Sequence, residues 1–406
     1  MNFKKPLSLI ITAVMLTAAI TISSLSARNP KPAVKTTAVT ASQPATADEA
    51  PDGMRGIWVT YMELSMENEA EKSEAAFRQK FAGIAAMCKN TGFNTLIVQV
   101  RPFCDALYDS KLFPPSHILS GEQGKSAGYD ALKIMCAITH KLGMKLHAWV
   151  NPYRVTANQT PQKLSGDNPY IKDKSLGLAL ESGIILNPAN EAARKLITEG
   201  VTELAENYDI DGVQFDDYFY PEDVGDSDSA DYQAYLESAP ENGAMDLQTW
   251  RESNVNLLVA ETYLAVHRAK PKAVFGISPQ GNLGNNKLLC ADVINWCGKR
   301  GFVDYICPQL YFSLDNPALG FEQALSQWSE LEFSDSVRLY VGLAGYKAGT
   351  DADEGTWLGR DSVLADELNI LKKNQKVQGF VLYSVSSLSD KDAAKEMQNL
   401  KSAMPD

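Results

Sequence analysis

Two adjacent carboxylates, Asp216 and Asp217, follow a short apolar stretch whose pattern predicts a buried β-strand. Val213 and Phe215 alternate there with Gln214 and Asp216, so the two sets point to opposite faces of the strand. Paired carboxyl groups suit glycoside hydrolysis, which needs an acid for the leaving oxygen and usually a second carboxylate as nucleophile or base. An Asp pair after a strand can also simply cap a turn or the next helix. The surrounding elements must decide between the two interpretations.

Clustering of carboxyl groups raises the pKa of one while another stays ionised, which supplies an acid and a base at one pH. In a substrate-assisted route, the acetamido oxygen of the sugar replaces the protein nucleophile. Asp217 would then be the acid and Asp216 the group that orients the amide, or the reverse.

The elements around the pair repeat one pattern from Arg55 onward: a short apolar strand, a polar loop and an amphipathic helix. Strands that alternate with helices pair in parallel, and eight units close a (β/α)8 TIM barrel. An open doubly wound sheet is the alternative, but no Gly-x-Gly-x-x-Gly turn follows the first strand. The predicted strands are Arg55–Tyr61, Thr95–Arg101, Lys145–Asn151, Gly212–Asp216, Val274–Gln280, Asp304–Tyr311, Arg338–Ala344 and Gly379–Ser384. The predicted helices span about 74–91, 130–143, 189–208, 247–270, 288–300, 320–331, 361–375 and 390–402.

Active sites of such barrels lie where strands end and loops begin. Amides, aromatic rings, an inward Arg101 and the loop residue Asp105 are predicted to converge there, which suits hydroxyl groups and the stacking face of a sugar. Inward polar residues can instead bond to one another and fill the barrel. The candidate catalytic residues are Asp216, Asp217 and Asp105. The candidate substrate-binding residues are Arg101, His147, Trp149, Asn151, Tyr153, Arg154, Gln214, Gln280, Gln309, Tyr311 and Tyr383.

Other chemistries find less support, and we expect neither a metal nor a cofactor. Lys145 begins its strand and Lys347 lies in a loop, so neither suits a Schiff base, and no nucleophile elbow supports a serine triad. The four histidines fall in separate units without metal-ligand spacing: His117, His140, His147 and His267.

The N-terminal segment and the composition indicate where the protein is located and which partners are excluded. Residues 1–27 combine Lys4-Lys5, an apolar run over residues 7–22 and small residues, which predicts a signal peptide or an uncleaved N-terminal membrane anchor. Residues 28–52 read as a disordered linker, and residues 53–406 form the barrel domain. We therefore expect an extracytoplasmic protein, secreted or anchored at the envelope. A net charge of −12 argues against a nucleic-acid partner, and the six scattered cysteines are predicted to be free and buried.

Eight ordered motifs run through the predicted barrel: Arg55-Gly-Ile-Trp58-Val, Gln99-Val-Arg101-Pro with Asp105-Ala-Leu-Tyr-Asp-Ser, Gly128-Tyr-Asp130, His147-Ala-Trp-Val-Asn151-Pro-Tyr-Arg154, Leu186-Asn-Pro, Asp211-Gly-Val-Gln-Phe-Asp-Asp-Tyr-Phe-Tyr-Pro221, Gly276-Ile-Ser-Pro279 and Pro308-Gln-Leu-Tyr311. Together they resemble the glycosyl hydrolase-like 10 family over about residues 53–390. The resemblance implies a TIM barrel in the bacterial cell envelope; one characterised type is divisome-localised and acts on peptidoglycan strands without stem peptides. It implies site roles for Asp216, Asp217 and Asp105.

The stretch around the pair also partly resembles the family 18 chitinase signature. Asp211, Gly212 and Asp216 match it, whereas Gln214 and Tyr218 replace its second Asp and its acid Glu. Chitinase itself is therefore disfavoured, while an N-acetylhexosamine polymer remains a suitable substrate. We expect a glycoside hydrolase that cleaves peptidoglycan glycan. The alternatives are a barrel that binds envelope glycan without cutting it, and a lyase or transglycosylase on the same polymer.

Overall fold

The structure, a computed structural model, describes residues 53–240 and 243–404. The predicted signal segment at 1–27 and the predicted linker at 28–52 lie outside the described residues. Within the described ranges, no helix combines the length and the apolar character that crossing a membrane requires.

Eight parallel strands close a barrel in chain order, and the last strand pairs with the first. The strands are Met54–Val59 (β1), Thr95–Arg101 (β2), Lys145–Val150 (β3), Gly212–Phe215 (β4), Val274–Ile277 (β5), Tyr305–Ile306 (β6), Arg338–Leu343 (β7) and Val377–Leu382 (β8). The predicted (β/α)8 TIM barrel is confirmed. The sixth strand is shorter than predicted because Pro308 has no N–H for the ladder. Gln309 resumes the pairing as an isolated bridge to Gln280 and Gly342.

A helix follows each strand, close to the predicted positions. The outer helices are Glu74–Thr91 (α1), Ala131–Lys141 (α2), Glu191–Asn207 (α3), Leu247–Ala269 (α4), Val293–Gly298 (α5), Phe321–Glu330 (α6), Val363–Leu371 (α7) and Ala394–Ala403 (α8). Capping residues define the helix ends, as α1 shows. The Ser73 side chain accepts from the Ala76 N–H at its start, and Gly92 ends it in a left-handed conformation with φ of 117°.

The loops carry smaller elements. Short helices occupy Tyr61–Leu64, His117–Ser120, Pro169–Lys172, Ser229–Ser238, Asn285–Leu288 and Ala352–Gly355, and 3-10 turns occupy Lys174–Leu176, Glu222–Val224, Gly345–Lys347 and Val385–Leu388. The strands Gly177–Ala179 and Ile184–Leu186 form an antiparallel pair outside the barrel.

Two layers of buried side chains support the barrel. The larger layer lies between strands and helices, and a smaller one fills the interior with Met54, Trp58, Ile97, Trp149, Val274, Tyr305, Cys307, Tyr340 and Val381. Gly276 leaves room for the Tyr305 ring, because a Cβ there would lie 2.1 Å from it. The six cysteines are free and buried, as predicted.

A β-bulge in β2 reverses the direction of Arg101. Gln99 pairs with Trp149, but Arg101 pairs with Val150, which belongs to the layer facing the helices. The Arg101 guanidinium accordingly lies 4.5 Å from the centre of the Phe113 ring, outside the barrel. The prediction that Arg101 points inward at the mouth is wrong, because strict alternation of side chains stops at the bulge.

Candidate active site

Asp216 lies directly after β4 and receives several donors on one oxygen. Trp149 Nε1 donates to Asp216 Oδ2 at 3.3 Å, the Asn151 side-chain amide donates to the same oxygen, and Arg154 Nη2 lies 3.7 Å from it. The other oxygen, Oδ1, faces the backbone N–H of Tyr218 at 3.4 Å. The side chains of Trp149, Asn151 and Arg154 come from the end of β3 and its loop, so two neighbouring strands, β3 and β4, build this half of the site.

Asp217 faces the following strands and is held by two glutamines. Gln309 Nε2 donates to Asp217 Oδ1 at 3.0 Å, and Gln280 Nε2 donates to Oδ2. The bridge between Gln280 and Gln309 sets the two amides side by side, and Asn286 accepts the Gln280 N–H at 3.0 Å. Neutral donors hold Asp217, whereas a cation approaches Asp216.

Burial governs the protonation of both carboxyls, which expose only 3% and 6% of their surface. Burial raises the pKa of Asp216 to about 7; the Arg154 cation opposes this rise and the neighbouring Asp217 charge adds to it. Burial also raises the pKa of Asp217, against the hydrogen bonds from Gln309 and Gln280. Two interacting carboxyls titrate as a pair, so the pair can retain one proton near neutral pH.

Tyrosines surround the opening above the pair. Tyr311, Tyr346 and Tyr383 have ring centres 5.8 Å apart in each pairing, after strands β6, β7 and β8. Tyr218 follows Asp217 and stacks under the Arg154 guanidinium at 4.4 Å. Tyr218 and Tyr346 expose 59% and 47% of their surface, so both rings are available to an apolar sugar face.

A third carboxylate near the opening has a structural role. Glu63 accepts hydrogen bonds from Ser384 Oγ, from the Ser386 N–H and from the Thr60 N–H, each at 2.6 Å. These bonds join the loops after β1 and β8 and account for both oxygens of Glu63. We therefore assign Glu63 to closure of the barrel mouth.

Asp105 is fully buried inside its own loop. Its oxygens accept from the Phe103 N–H at 3.2 Å and from Gln123 Nε2 at 3.3 Å, and His117 Nδ1 lies 3.4 Å away. With no exposed surface, Asp105 has no direct access to a sugar. The structure does not bring the predicted third catalytic residue to the opening beside Asp216 and Asp217.

Three predicted substrate residues are core residues instead. His147 and Gln214 face the barrel interior, fully buried: the Tyr305 hydroxyl donates to Gln214 Oε1 at 3.1 Å and lies 3.0 Å from His147 Nδ1. Burial lowers the pKa of His147 to about 4, so the ring is neutral. Tyr153 is buried in the layer between strands and helices. The alternation of side chains along a strand predicts which residues face the interior, but it does not show whether they lie deep in the barrel or at its mouth.

The structure does gather most of the predicted set around Asp216 and Asp217, namely Trp149, Asn151, Arg154, Gln280, Gln309, Tyr311 and Tyr383. Tyr218 and Tyr346 belong to the same opening, although the set of candidate substrate-binding residues does not include them. Their positions just after strand ends were the available signal. In the sequence, Tyr218 begins an aromatic run, Tyr218-Phe219-Tyr220, that could line a sugar site. In residues 53–240 and 243–404, no group of three or more His, Cys, Asp or Glu is placed to hold a metal ion.

A closed parallel barrel with carboxylates and tyrosines at the loop end defines the class: a TIM-barrel protein of the glycoside hydrolase type. The pattern of the family described as "Glycosyl hydrolase-like 10" matches residues 53–358. The chain belongs to this family.

Curated relatives are named as glycosyl hydrolases. The chain is 32% identical to "Glycosyl hydrolase YngK" of Bacillus subtilis over 354 residues, covering 83% of this chain and 69% of the relative. It is 30% identical to "Glycosyl hydrolase DigH" of Escherichia coli strain K12 over 397 residues, covering 88% and 89% of the two chains.

Solved structures share the fold. The PgaB (BpsB) glycoside hydrolase domain from Bordetella bronchiseptica superimposes with a TM-score of 0.56 at 13% identity, covering 87% of this chain and 99% of that domain. An alpha-L-fucosidase isoenzyme from Paenibacillus thiaminolyticus gives a TM-score of 0.53 at 13% identity, with 86% of this chain covered. The chain spans about half, 49%, of that fucosidase.

Proposed function

We propose that this protein is an exported hydrolase of glycosidic bonds in a bacterial envelope polysaccharide, with peptidoglycan glycan strands as the substrate. One observation carries the proposal: Asp216 and Asp217 lie side by side at the barrel mouth, both with raised pKa values, beneath a ring of tyrosines. The family supports the reaction class. The predicted export signal and the motif resemblance support the envelope setting and the substrate.

The pair offers the two functions that the reaction needs. A carboxyl group that keeps its proton near neutral pH can protonate the leaving glycosidic oxygen, and its ionised neighbour can assist the attack. The neighbour acts as a base, as a nucleophile, or by orienting the acetamido group of an N-acetylhexosamine. Exposed Tyr218 and Tyr346 would stack on the sugar rings, and Arg154 would maintain the charge of Asp216.

Substitution of each carboxyl tests the assignment. Asp216→Asn and Asp217→Asn should each abolish release of fragments from glycan strands stripped of their stem peptides, because the amide neither donates an acidic proton nor carries charge. Asp315→Asn is the matched control: Asp315 is exposed and pairs with Arg360 at the surface. Full activity of both site variants would remove the assignment.

The products separate the reaction classes. Hydrolysis adds water and leaves a reducing end, so mass spectrometry of the fragments should show that mass. A lyase or transglycosylase would give fragments without the added water.

A second candidate, a barrel that binds envelope glycan without cutting it, is favoured by one observation. Asp216 and Asp217 are nearly buried, and N–H donors already reach both carboxyls. Retention of glycan strands by the immobilised protein, with no fragments released over hours, would support this candidate. The raised pKa values favour the hydrolase, since binding alone does not require two buried carboxyls side by side.

A further inference from the structure

A chain of side-chain amides leads from the first loop to Asp216. The backbone N–H of Tyr61 donates to Gln99 Oε1 at 3.0 Å, Gln99 Nε2 donates to Asn151 Oδ1 at 2.7 Å, and Asn151 Nδ2 donates to Asp216 Oδ2. Gln99 and Asn151 are buried; Gln99 lies on β2, and Asn151 directly follows the adjacent strand β3. Gln99 has no direct contact with either carboxyl of the pair among the hydrogen bonds of the described residues.

The orientation of each amide in this hydrogen-bond series is fixed by the Tyr61 N–H at its start. A backbone N–H can only donate, so the carbonyl of Gln99 must face Tyr61 and its NH2 must face Asn151. The Asn151 carbonyl then faces Gln99, and its NH2 faces Asp216. If Asn151 turned over, its carbonyl oxygen would lie against the carboxylate, and the ionised form of Asp216 would lose a donor and gain a repulsive partner.

We propose that Gln99 is a positioning residue: it fixes the orientation of the Asn151 amide, and thereby keeps a hydrogen-bond donor on Asp216 that sets the pH at which this carboxyl gains its proton. The effect acts through Asn151 alone. Its consequence for catalysis rests on the proposed function, whereas its consequence for the titration of Asp216 does not.

Other groups also face Asp216, and the amide chain acts in addition to them. Arg154 approaches from the loop after β3, Asp217 follows it in the chain, and the tyrosines Tyr218 and Tyr383 lie within electrostatic range. The Arg154 cation and the Trp149 indole N–H keep their direction whatever Asn151 does. The Asn151 amide is therefore the only one of the hydrogen-bonding side chains named here whose polarity towards Asp216 can reverse.

Three variants isolate this effect. Asn151→Leu removes the donor outright and should raise the titration midpoint of the Asp216 carboxyl by about one pH unit. Gln99→Met keeps the length of the side chain but frees the Asn151 amide, so the midpoint should rise by at least half that amount. Gln214→Met is the matched control: it makes the same change at a buried interior glutamine that bonds to Ser278 and Tyr305. Its midpoint should stay at the wild-type value.

The titration is followed by 13C NMR of aspartate-labelled full-length protein, with the Asp216 signal assigned by its loss in Asp216→Asn. This measurement needs no substrate, so it remains decisive if the hydrolase proposal fails. If the enzyme is active, the limb of the pH profile of kcat/KM that reports Asp216 should move upward in parallel. A folded Gln99→Met protein that titrates as the wild type, or a shift of equal size in Gln214→Met, would overturn the proposal.

Discussion

The guanidinium of Arg154 lies 3.7 Å from the carboxyl of Asp216 and 4.4 Å above the ring of Tyr218. A single cation is thus held between a buried acid and an exposed aromatic ring. It favours the ionised form of Asp216 against the effect of burial, which raises the pKa of this group. Arg154 therefore connects the protonation of the pair with the surface that a sugar would meet.

Replacing Arg154 should shift the pH dependence of activity upward. Without the cation, the ionised form of Asp216 loses stabilisation, and its pKa should rise by about 1 unit in Arg154→Gln. The limb of the kcat/KM profile that reports Asp216 should move accordingly. Arg251→Gln is the control. Arg251 lies away from the site, where its Nε donates to Oδ2 of buried Asp228 at 2.8 Å. An unmoved profile in Arg154→Gln would contradict the assignment.

Removing an exposed ring from the opening should weaken binding more than chemistry. Tyr218→Ala and Tyr346→Ala each remove a sugar platform, and we expect KM for glycan fragments to rise about tenfold, with kcat changing less. Leu264→Ala, an exposed position on the outer face of α4, provides the control. Equal KM values for all three variants would show that the sugar does not contact these rings.

A buried acid away from the site should limit stability at high pH. Glu367 on α7 is fully buried, neither of its oxygens has a hydrogen-bond partner among the described residues, and its pKa is raised well above the usual value by burial and by Glu396. The folded state then binds this proton more tightly than the unfolded state, so stability falls as pH rises above the unfolded pKa.

Glu367→Gln removes that ionisation. At pH 8, the free energy of unfolding of the variant should exceed that of the wild type by roughly 1–3 kcal/mol, and the difference should shrink towards pH 4. Denaturant titrations at both pH values measure this difference. Glu203→Gln should have the opposite effect, because Glu203 accepts from Ser110 Oγ and the Lys111 N–H and would lose an acceptor. A Glu367→Gln protein less stable than the wild type at pH 8 would refute this account.

The outward position of Arg101 can be tested through its neighbour. A Cβ at Gly200 in α3 would lie 2.5 Å from Arg101 Nη1 and 2.5 Å from the Phe113 ring, so Gly200→Ala should cost about 1–3 kcal/mol of unfolding free energy. Gly83→Ala in α1, where the Cβ meets open space, should instead stabilise by about 1 kcal/mol. Thermal denaturation of both variants would show whether Arg101 fills the space beside α3.

The order and approximate positions of the strands and helices were predictable, because alternation and helix spacing repeat in each unit. The same pattern predicted that Asp216, Asp217, Asn151 and Gln309 converge at one end of the barrel. In the structure, Asn151 bonds to Asp216 and Gln309 bonds to Asp217 across long sequence separations. Arg101 could not be placed, since a bulge depends on the pairing partner and leaves no mark in composition. The burial of individual side chains was also not predictable from the sequence. Tyr153 belongs to the same motif as Arg154, yet only the fold shows that Tyr153 is buried behind the strands.

Aromatic rings occupy the interior of the barrel beneath the aspartates, with Trp149, Tyr305 and Tyr340 filling the space between the strands. The packed interior closes access to Asp216 and Asp217 from within the barrel, so reactants can approach them only from the barrel mouth. A hydrolytic water molecule would have to arrive from the same side as the glycan, either ahead of it or past its edge. How tightly a sugar covers the opening would then govern how fast that water is replenished between turnovers.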